Sequence, residues 1–361
     1  MDPKNGIVIL RIIETMSQNQ NTNTVIVTGA AGYIGGATCI ALKEKGYRVV
    51  GIDLRHLPEH LESYVDQFVK ECFTHPWSLE HIEREPIAII HCAGTSLVGP
   101  SIKNPHDYYE NNVVRTEKYL DYIRRWSPNT KFIFSSSAAV YGDPLGMVLF
   151  EGSATNPISP YGESKLMVEM MLNWYSKAYG IKYVSFRYFN ACGAVAGGIH
   201  GQEPNATHIF AKVFEAAINN GEFTINGVNF PTRDGTCVRD YVHVSDIVDA
   251  HLLGIDNNIE GIYNIGTLKG HTNLEVFTAA ESFLIEAEVL NHGIVCHFDV
   301  QREGDPASLI ASPQKLQNDT GWKAERNLDN IIEDLYYWYM SKSFNKMKIK
   351  QRSLNDIQPA I

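Results

Sequence analysis

A tyrosine and a lysine stand four residues apart in the stretch SPYGESKL, residues 159–166, where the sequence predicts the start of a helix. At that spacing the side chains of Tyr161 and Lys165 lie on one face of the helix and can reach the same ligand. A phenol has a pKa of about 10 and is a poor base at neutral pH, but a nearby ammonium group lowers that pKa. The pair can therefore exchange a proton with a substrate hydroxyl, although a tyrosine and a lysine also share a helical face by chance.

A serine ends an apolar run upstream of this pair, in KFIFSSSAAVYG. If that run is a strand of a parallel sheet, Ser137 lies at the carboxyl edge, which is where such sheets bind ligands. Ser137, Tyr161 and Lys165 then meet at one site and form a candidate catalytic group.

A glycine-rich turn follows the first apolar run, in VIVTGAAGYIGG, at the opening of a predicted helix. Gly29, Gly32 and Gly35 allow the backbone to turn tightly and to approach a pyrophosphate, whose charge the helix amino terminus favours. The second run ends at Asp53, where a carboxylate accepts hydrogen bonds from ribose hydroxyls and repels a 2′-phosphate. These features predict NAD rather than NADP as the cofactor, although a glycine-rich turn can also be purely structural.

Short β-branched runs alternate with longer helical patterns from residue 24 onwards. Near-continuous apolar runs separated by helices indicate strands that are buried on both faces of a parallel sheet. We predict an α/β fold with a doubly wound parallel sheet of the Rossmann type and a smaller C-terminal substrate-binding lobe. The predicted strands are TVIVTG, YRVVGID, IAIIHCAG, KFIFSSS and KYVSFRYFN, with a later return to the sheet at GIYNIG.

The chain is expected to divide into four parts. Residues 1–22 end in a polar tract and are predicted to be an extension outside the fold. Residues 23–190 form the predicted NAD-binding domain, residues 191–340 the substrate-binding lobe, and residues 341–361 a tail. Two helices are predicted from YYENNVVRTEKYLDYIRRW and GESKLMVEMMLNWYSKAY, and the second is apolar around most of its circumference. Such a helix packs on two sides, in a core or at a subunit interface.

Composition limits the class of partner. The 361 residues are 44% apolar and carry a formal net charge of -10, which disfavours nucleic acid and anionic membranes and favours a small molecule. The apolar run GIVILRII is too short to span a bilayer.

Six cysteines without CxxC pairing predict a reducing compartment and hence a cytoplasmic location. His91 and Cys92 have no neighbouring ligand cluster, so we predict packing or loop-positioning roles for them and no metal site.

These motifs together resemble the UDP-glucose 4-epimerases, a family of extended short-chain dehydrogenases/reductases. The resemblance covers residues 24 to about 335. It rests on the glycine-rich loop, the serine, the YxxxK pair and the segments HCAG, NNV, SSSAAVYG, SPYGESKLMVE, RYFNACGA, VRDYVHVSDIVDAHL, YNIG and REGDPA.

The resemblance implies a redox-neutral epimerisation at C4 of a UDP-sugar. Tyr161 would take the proton of the 4-hydroxyl, with Ser137 as its hydrogen-bonding partner, while hydride passes to NAD⁺. The 4-keto sugar then turns within the pocket, held by its UDP group, and hydride returns to its other face. Lys165 would bond the nicotinamide ribose and, with the positive nicotinamide, keep Tyr161 ionised. The family also implies a homodimer in which the two predicted helices pair into a four-helix bundle.

The resemblance also assigns the cofactor pocket. It places Asn111 in that pocket and Phe189 against the nicotinamide. The full predicted cofactor set is Gly29, Gly32, Tyr33, Ile34, Gly35, Asp53, Cys72, Phe73, Cys92, Ala93, Gly94, Asn111, Ser135, Tyr161, Lys165 and Phe189.

The substrate pocket is assigned in the same way. Asn190, Arg239 and Arg302 would bind the nucleotide diphosphate, and Asp305 would hold the uridine ribose. Leu309 would wall the sugar pocket, and its intermediate size predicts UDP-glucose and UDP-galactose as the main pair, with weak activity at best on N-acetylated sugars. The full predicted substrate set is Ser137, Tyr161, Asn190, His208, Arg239, Arg302, Asp305 and Leu309.

Two features depart from the family's pattern. The segment after Asp53 is several residues shorter, and Cys72 stands where an aspartate usually lies near the adenine. We therefore expect a looser adenine end.

Other activities stay open on the sequence alone. Another nucleotide-sugar epimerase, such as a UDP-N-acetylglucosamine 4-epimerase, or a reductase or dehydrogenase of the same family fits the same motifs. A 4,6-dehydratase is disfavoured because Ala138 and Ala139 follow Ser137, where that activity usually has an acid and a base. A non-enzymatic NAD-binding protein is a more distant alternative, since such proteins usually lose the tyrosine or the lysine.

Overall fold

The computed structural model describes residues 23–75, 85–144, 148–204, 206–219, 221–301, 305–341 and 345. The predicted extension at 1–22 and nearly all of the predicted tail at 341–361 lie outside the described residues. Among the described residues, none of the helices has the length and apolar character that a membrane span requires. All six cysteines are free thiols.

A parallel sheet forms the centre of the described structure. Its strands are β1 (Thr24–Thr28), β2 (Arg48–Ile52), β3 (Gln67–Val69), β4 (Ala88–His91), β5 (Lys131–Ser137), β7 (Tyr183–Tyr188) and β11 (Gly261–Ile265). They are ordered β11-β7-β5-β4-β1-β2-β3, and Val25 of β1 lies between Val49 of β2 and Ala88 of β4. This sheet confirms the predicted α/β fold, and every predicted strand segment belongs to it. β3 was not predicted, because three half-buried residues give no usable periodicity.

Helices cover both faces of this sheet. Alternate residues of a strand point to opposite faces, so Val25 and Val27 pack in one core with Leu42, while Ile26 packs in another with Leu120. The helices that cover the sheet are α1 (Tyr33–Glu44), α4 (Arg115–Trp126), α5 (Pro160–Tyr179) and α7 (Val244–Asp256), and the short helices α2 (Val98–Lys103) and α3 (Pro105–Tyr108) pack against α5. The predicted double winding is therefore present.

The predicted helix at 108–126 is interrupted by a π-helical turn, Tyr109–Val114, between α3 and α4. The turn carries Asn112, whose buried side chain donates hydrogen bonds to the Thr95 carbonyl at 3.0 Å and to the Ser164 hydroxyl at 3.0 Å. Such turns are frequent at functional sites, because the extra residue redirects a side chain. The prediction of one regular helix is wrong for this turn.

A buried ion pair ties α5 to the sheet. Arg187 of β7 donates to the Glu169 carboxylate from Nε at 2.9 Å and from Nη2 at 2.6 Å. The Ser136 hydroxyl of β5 donates to the same carboxylate at 2.5 Å. The side chains of Arg187 and Glu169 are only 3% and 2% exposed. Since Lys165 lies one turn before Glu169, the ion pair also fixes the position of Lys165 beside β5.

A second, smaller lobe is built mainly from the C-terminal half of the chain. Its strands are β6 (Val148–Leu149), β8 (Asn190–Cys192), β9 (Glu222–Asn226), β10 (Val238–His243), β12 (Gly270–Thr272), β13 (Val295–Asp299) and β14 (Ser308–Ala311). Its helices are α6 (Ile209–Ile218), α8 (Asn273–Glu286) and α10 (Leu328–Met340), while α9 (Gln314–Thr320) packs against β11 of the large sheet. Four of the strands are ordered β12-β10-β14-β6, β8 pairs with β10, and β9 pairs with β13. Stacked rings of Phe214 and Tyr339, 5.0 Å apart, lie in the core of this lobe.

Candidate active site

A cleft of about 940 Å³ opens at the carboxyl ends of β1, β2, β4, β5 and β7 and is closed on its other side by the smaller lobe. Ligand pockets usually measure about 300–1,000 Å³, so this cleft has room for a large ligand. The predicted residues on its wall are Gly29, Gly32, Tyr33, Ile34, Gly35, Asp53, Phe73, Cys92, Ala93, Gly94, Asn111, Ser135, Ser137, Tyr161, Lys165, Phe189, Asn190, His208, Arg239, Asp305 and Leu309.

Two predicted residues are not on that wall. Arg302 lies outside the described residues. Cys72 is not among the described residues that line the cleft, although Glu71 and Phe73 are. Its thiol instead lies 3.1 Å from the Thr74 hydroxyl. The structure therefore does not bring Cys72 to the wall of the cleft.

The glycine-rich loop has the shape that an anion site requires. Gly29 adopts φ +73°, and a Cβ atom at Gly35 would lie 2.1 Å from the Gly29 carbonyl oxygen, so both positions need glycine. Gly32 precedes α1 as its N-cap, and the described first turn of α1 has neither a side-chain cap nor an acidic residue. The N–H groups of that turn are left for a bound anion, which fits the pyrophosphate of a dinucleotide.

Asp53 is fixed at the end of β2 beside this loop. Its Oδ2 accepts a hydrogen bond from the Ala31 N–H at 3.0 Å, and its Oδ1 accepts one from the Arg55 N–H at 2.9 Å. The Arg55 Nε also donates to Oδ1 at 3.4 Å, and since a carboxylate has about four acceptor positions, one remains for a ribose hydroxyl group. The loop and Asp53 together fit NAD.

The start of α5 places Tyr161 next to Ser137. The Ser159 hydroxyl caps the helix by accepting the Gly162 N–H at 3.2 Å, and proline occupies the first helical position. A Cβ atom at Gly162 would lie 2.4 Å from the Ala139 carbonyl oxygen, so only glycine allows the helix to approach the turn after β5 this closely. In that turn the Ser137 hydroxyl accepts the Ala139 N–H at 3.2 Å.

The two ionisable groups of the predicted pair are both desolvated. Burial raises the pKa of Tyr161, and a hydrogen bond with the Ser137 side chain opposes that rise. Burial also lowers the pKa of Lys165 to about 8. The Lys165 ammonium donates to the Ser135 carbonyl at 2.8 Å and lies 5.9 Å from the centre of the Tyr161 ring. The protein groups alone therefore do not produce the lowered phenol pKa that the sequence predicted, because desolvation outweighs them.

Asn111 and Asn112 shape the loop after β4. Asn111 lines the cleft, as predicted, and its side-chain amide donates to the Thr95 hydroxyl at 2.8 Å. The Oδ1 atom of the Asn112 side chain accepts the Thr95 N–H at 2.7 Å, and its Nδ2 atom donates to the Ser164 hydroxyl on α5 at 3.0 Å. Asn112 therefore joins the loop to α5. No role was predicted for Asn112, because only the π-helical turn directs its side chain inward.

A buried chain of hydrogen bonds leads from the cleft through the sheet. The Tyr188 hydroxyl, beside the cleft, is bonded to the Ser135 hydroxyl at 3.0 Å and to Nε2 of His251. Nδ1 of His251 lies 3.0 Å from the Thr38 hydroxyl on α1, and burial lowers the pKa of His251 to about 3. The neutral imidazole thus helps to hold Ser135, whose carbonyl positions Lys165. Tyr188 was missed although it stands in the quoted motif RYFN.

Two paired strands of the smaller lobe, β10 and β14, form the far end of the cleft. Arg239 of β10 donates to the Pro306 carbonyl at 2.8 Å, and its Nη2 lies 3.5 Å from Oδ1 of Asp305. Leu309 of β14 is the register partner of Arg239. Asn190 and His208 line this end as well, and with Arg239 and Asp305 they border an adjoining cavity of about 190 Å³. Four of the predicted substrate residues are thus grouped.

His91, for which the sequence predicted a packing role, is the last residue of β4. Its ring is buried, with Nδ1 2.7 Å from the Thr28 hydroxyl and Nε2 3.2 Å from the Thr116 hydroxyl.

Other residues that line the cleft had no sequence signal that pointed to them, namely Leu54, Arg55, Glu71, Thr95, Gln202 and Glu203.

Comparison with known proteins gives a consistent result. The model of the NAD dependent epimerase/dehydratase family matches residues 25–266. The chain is similar to a UDP-glucose 4-epimerase of Halalkalibacterium halodurans, with 36% identity over 332 residues that cover 87% of this chain and 95% of the relative.

Solved structures give the same match. A UDP-glucose 4-epimerase from Brucella ovis in complex with NAD superposes with a TM-score of 0.79 and 34% identity, covering 88% of this chain and 98% of that one. A UDP-glucose 4-epimerase from Bifidobacterium longum in complex with NAD⁺ and UDP superposes with a TM-score of 0.79 and 31% identity, covering 89% and 99%.

We expect Lys165→Met to raise the free energy of unfolding at pH 7 by about 2 kcal/mol. The pKa of Lys165 is lowered from 10.5 in an unfolded chain to about 8 in the fold, which destabilises the fold by about 3 kcal/mol wherever the lysine is charged. The lost hydrogen bond to Ser135 offsets about 1 kcal/mol of the gain. The charge penalty is complete below pH 8, fades as the pH rises from 8 to 10.5, and is absent above 10.5.

Urea unfolding at pH 7 and pH 10 measures this effect. The advantage of the variant should shrink at pH 10, while Lys212→Met, at an exposed position of α6, should change little at either pH. A Lys165→Met protein that is less stable than the wild type at both pH values would contradict the prediction.

Proposed function

Because this chain belongs to the NAD dependent epimerase/dehydratase family, we propose that it is an NAD-dependent enzyme that interconverts UDP-glucose and UDP-galactose. One observation carries the proposal: a single cleft brings together the glycine-rich loop, the Tyr161 and Ser137 pair, and Arg239. An enzyme that oxidises and reduces a nucleotide sugar needs a dinucleotide site, a proton-transfer group and a diphosphate ligand in one cavity. The six free thiols support a reducing location such as the cytoplasm.

The proposed chemistry is proton transfer by the chain and hydride transfer by its cofactor. Bound NAD supplies the hydride acceptor for C4 of the sugar and then the donor for the opposite face. Tyr161 takes the proton of the 4-hydroxyl during oxidation and returns a proton during reduction. A hydrogen bond with Ser137 opposes the rise that burial causes in the pKa of the Tyr161 phenol. Lys165 brings a positive charge that further favours the phenolate, which burial alone opposes.

The smaller lobe is proposed to hold the UDP group. Arg239 offers a planar cation to the diphosphate, and Asp305 beside it offers acceptors to ribose hydroxyls. Asn190 and His208 border the same end of the cleft. A ligand anchored there leaves its sugar free to turn over at Tyr161, which a C4 epimerase requires and a simple dehydrogenase does not.

A direct experiment separates this function from its alternatives. The purified protein is incubated with UDP-galactose without added NAD, and the sugar nucleotides are analysed. UDP-glucose without accumulation of NADH supports the epimerase, whereas NADH formation in proportion to substrate indicates a dehydrogenase. A protein that binds NAD but leaves UDP-galactose unchanged refutes the proposed reaction.

Tyr161→Phe is expected to lower kcat by about 10²- to 10⁴-fold while the Kd for UDP stays nearly unchanged. The variant keeps the ring but loses the hydroxyl that exchanges the proton, and Arg239 is not altered. Rate assays and calorimetric UDP titration measure the two quantities. Tyr47→Phe is the matched control, since that hydroxyl bonds Asp256 at the surface. Equal losses of rate and of UDP affinity would show that Tyr161 is structural.

We also propose that the protein is a homodimer formed through α4 and α5. Met167, Met170 and Trp174 lie on one face of α5 and are 37%, 58% and 64% exposed, although most large apolar side chains of this size are buried in a monomer. A second copy that pairs the same helices would cover them.

Trp174→Glu is expected to shift the dimer towards monomer, because the interface would bury an unpaired charge. Light scattering at micromolar concentration measures the mass. Phe298→Glu, at a 55% exposed position of β13 in the other lobe, should leave the mass unchanged. A monomeric wild-type protein would refute the proposed dimer.

Leu309→Cys is expected to raise the ratio of activity on N-acetylated to plain UDP-sugars. Leu309 lines the cleft beside Arg239, and one group of methylene size in such a pocket changes discrimination by about 1–3 kcal/mol. Parallel assays with UDP-galactose and UDP-N-acetylgalactosamine give the ratio. A ratio equal to that of the wild type would mean that Leu309 is a core residue and not the wall of the sugar pocket.

A further inference from the structure

The segment that follows Asp53 reaches across to the smaller lobe. Nη1 of Arg55 lies 2.5 Å from Oε1 of Glu203, in the loop between β8 and α6. The same guanidinium lies 3.4 Å from the Asp53 carboxylate through Nε. Arg55 therefore joins the carboxyl end of β2 to a loop that is 148 residues away in sequence.

A second contact between the same segments keeps the Glu203 loop in place. His60 and His200 are joined by a hydrogen bond of 2.9 Å, and Nε2 of His200 lies 2.9 Å from the Tyr33 carbonyl at the start of α1. The His200 ring also packs edge-on against Trp338, 6.0 Å between centres. Because His200 is buried and held on three sides, Glu203 is presented to Arg55 by an anchored loop.

Arg55 and Glu203 both line the cleft at the glycine-rich loop. Nη2 of Arg55 lies 3.1 Å from the position that a Cβ atom at Gly32 would occupy. The side chains of Arg55 and Glu203 are 51% and 46% exposed, so their bridge forms an outer edge of the cleft. A dinucleotide whose pyrophosphate lies at Gly32 and whose ribose lies at Asp53 is thus beside this bridge.

We propose that Arg55 and Glu203 form a clasp over the adenosine end of the cofactor site, which slows release of the bound dinucleotide. The clasp rests on the proposed function, because a cofactor that is reoxidised in every turnover is useful only while it stays bound. The clasp also assigns a structural role to the short segment after Asp53. That segment places a cation next to the pyrophosphate and connects it to the opposite lobe.

An arginine at this place can instead bind the 2′-phosphate of NADP. The charges around Arg55 argue against that role, because its guanidinium is already paired with the carboxylates of Asp53 and Glu203. Two carboxylates beside one guanidinium repel a further dianionic group. The clasp therefore acts on NAD, and NADPH serves as the comparison ligand in the test.

Release of NADH from the full-length protein tests the clasp directly. The protein is loaded with NADH and mixed with excess NAD, and the loss of bound-NADH fluorescence gives the release rate. Glu203→Gln should accelerate release about two- to fivefold, the size of effect that one half-exposed ion pair supports. Arg55→Gln should accelerate NADH release by at least the same factor. The double variant should release NADH no faster than Arg55→Gln, because both changes remove the same bridge. Added NaCl should accelerate release from the wild type more than from Glu203→Gln.

The matched control is Glu222→Gln, which removes the exposed Glu222–His297 pair on β9 and β13 and should leave release unchanged. Additive effects of the two cleft substitutions, or Glu203→Gln rates equal to the wild type, would overturn the clasp while epimerase activity on UDP-galactose stays intact. NADPH that is held as tightly as NADH by the wild type, and lost in Arg55→Gln, would overturn it in favour of a 2′-phosphate site. A wild-type protein that binds no dinucleotide would overturn both the clasp and the proposed function.

Discussion

The buried ion pair between Glu169 and Arg187 holds α5, and with it Tyr161 and Lys165, against the sheet. Both charges are removed from water, and loss of one partner of such a pair typically costs about 3–5 kcal/mol, because the other charge is left uncompensated. The guanidinium fork meets both carboxylate oxygens, which fixes the orientation as well as the distance. Ser136 adds a third bond from the strand that ends at Ser137. The relative positions of the proton-transfer groups therefore depend on one point where a helix and two strands are joined.

The approach of α5 to β5 sets the remaining distance in the site. At Gly162 the helix backbone lies against the Ala139 carbonyl, and any side chain there would push the helix away from Ser137. The same close packing buries Lys165 and half-buries Tyr161, which fits burial as the largest cause of both pKa shifts. Tight positioning and partial desolvation of the proton-transfer group are thus two effects of one contact.

The sequence predicted those parts of the molecule whose determinants are local. The strand at 24–28, the glycine-rich loop and the capped start of α5 each carry their signal within a few residues, and each is confirmed. The π-helical turn that directs Asn112 inward depends on packing against α5, and no local pattern distinguishes it from a regular helix. The contact of Arg55 with Glu203 joins residues that only the folded topology brings together. Cys72 shows a finer limit, since its neighbours line the cleft while its own thiol lies against the Thr74 hydroxyl.

The pairing of β6 with β14 determines when the smaller lobe can be completed during synthesis. β6 lies at residues 148–149, but its partner lies at 308–311, so this small sheet cannot close until nearly the whole chain has left the ribosome. Strands β1 to β5 of the large sheet pair with partners that emerge much earlier, and pairings between residues distant in sequence are slow because of the chain entropy that they must overcome. β10 also pairs with β14, where Arg239 is the register partner of Leu309. The nascent chain therefore acquires its nucleotide-binding strands first, and until β14 arrives the Val238–Arg239 end of β10, which β8 does not cover, is an open edge exposed to association with other chains.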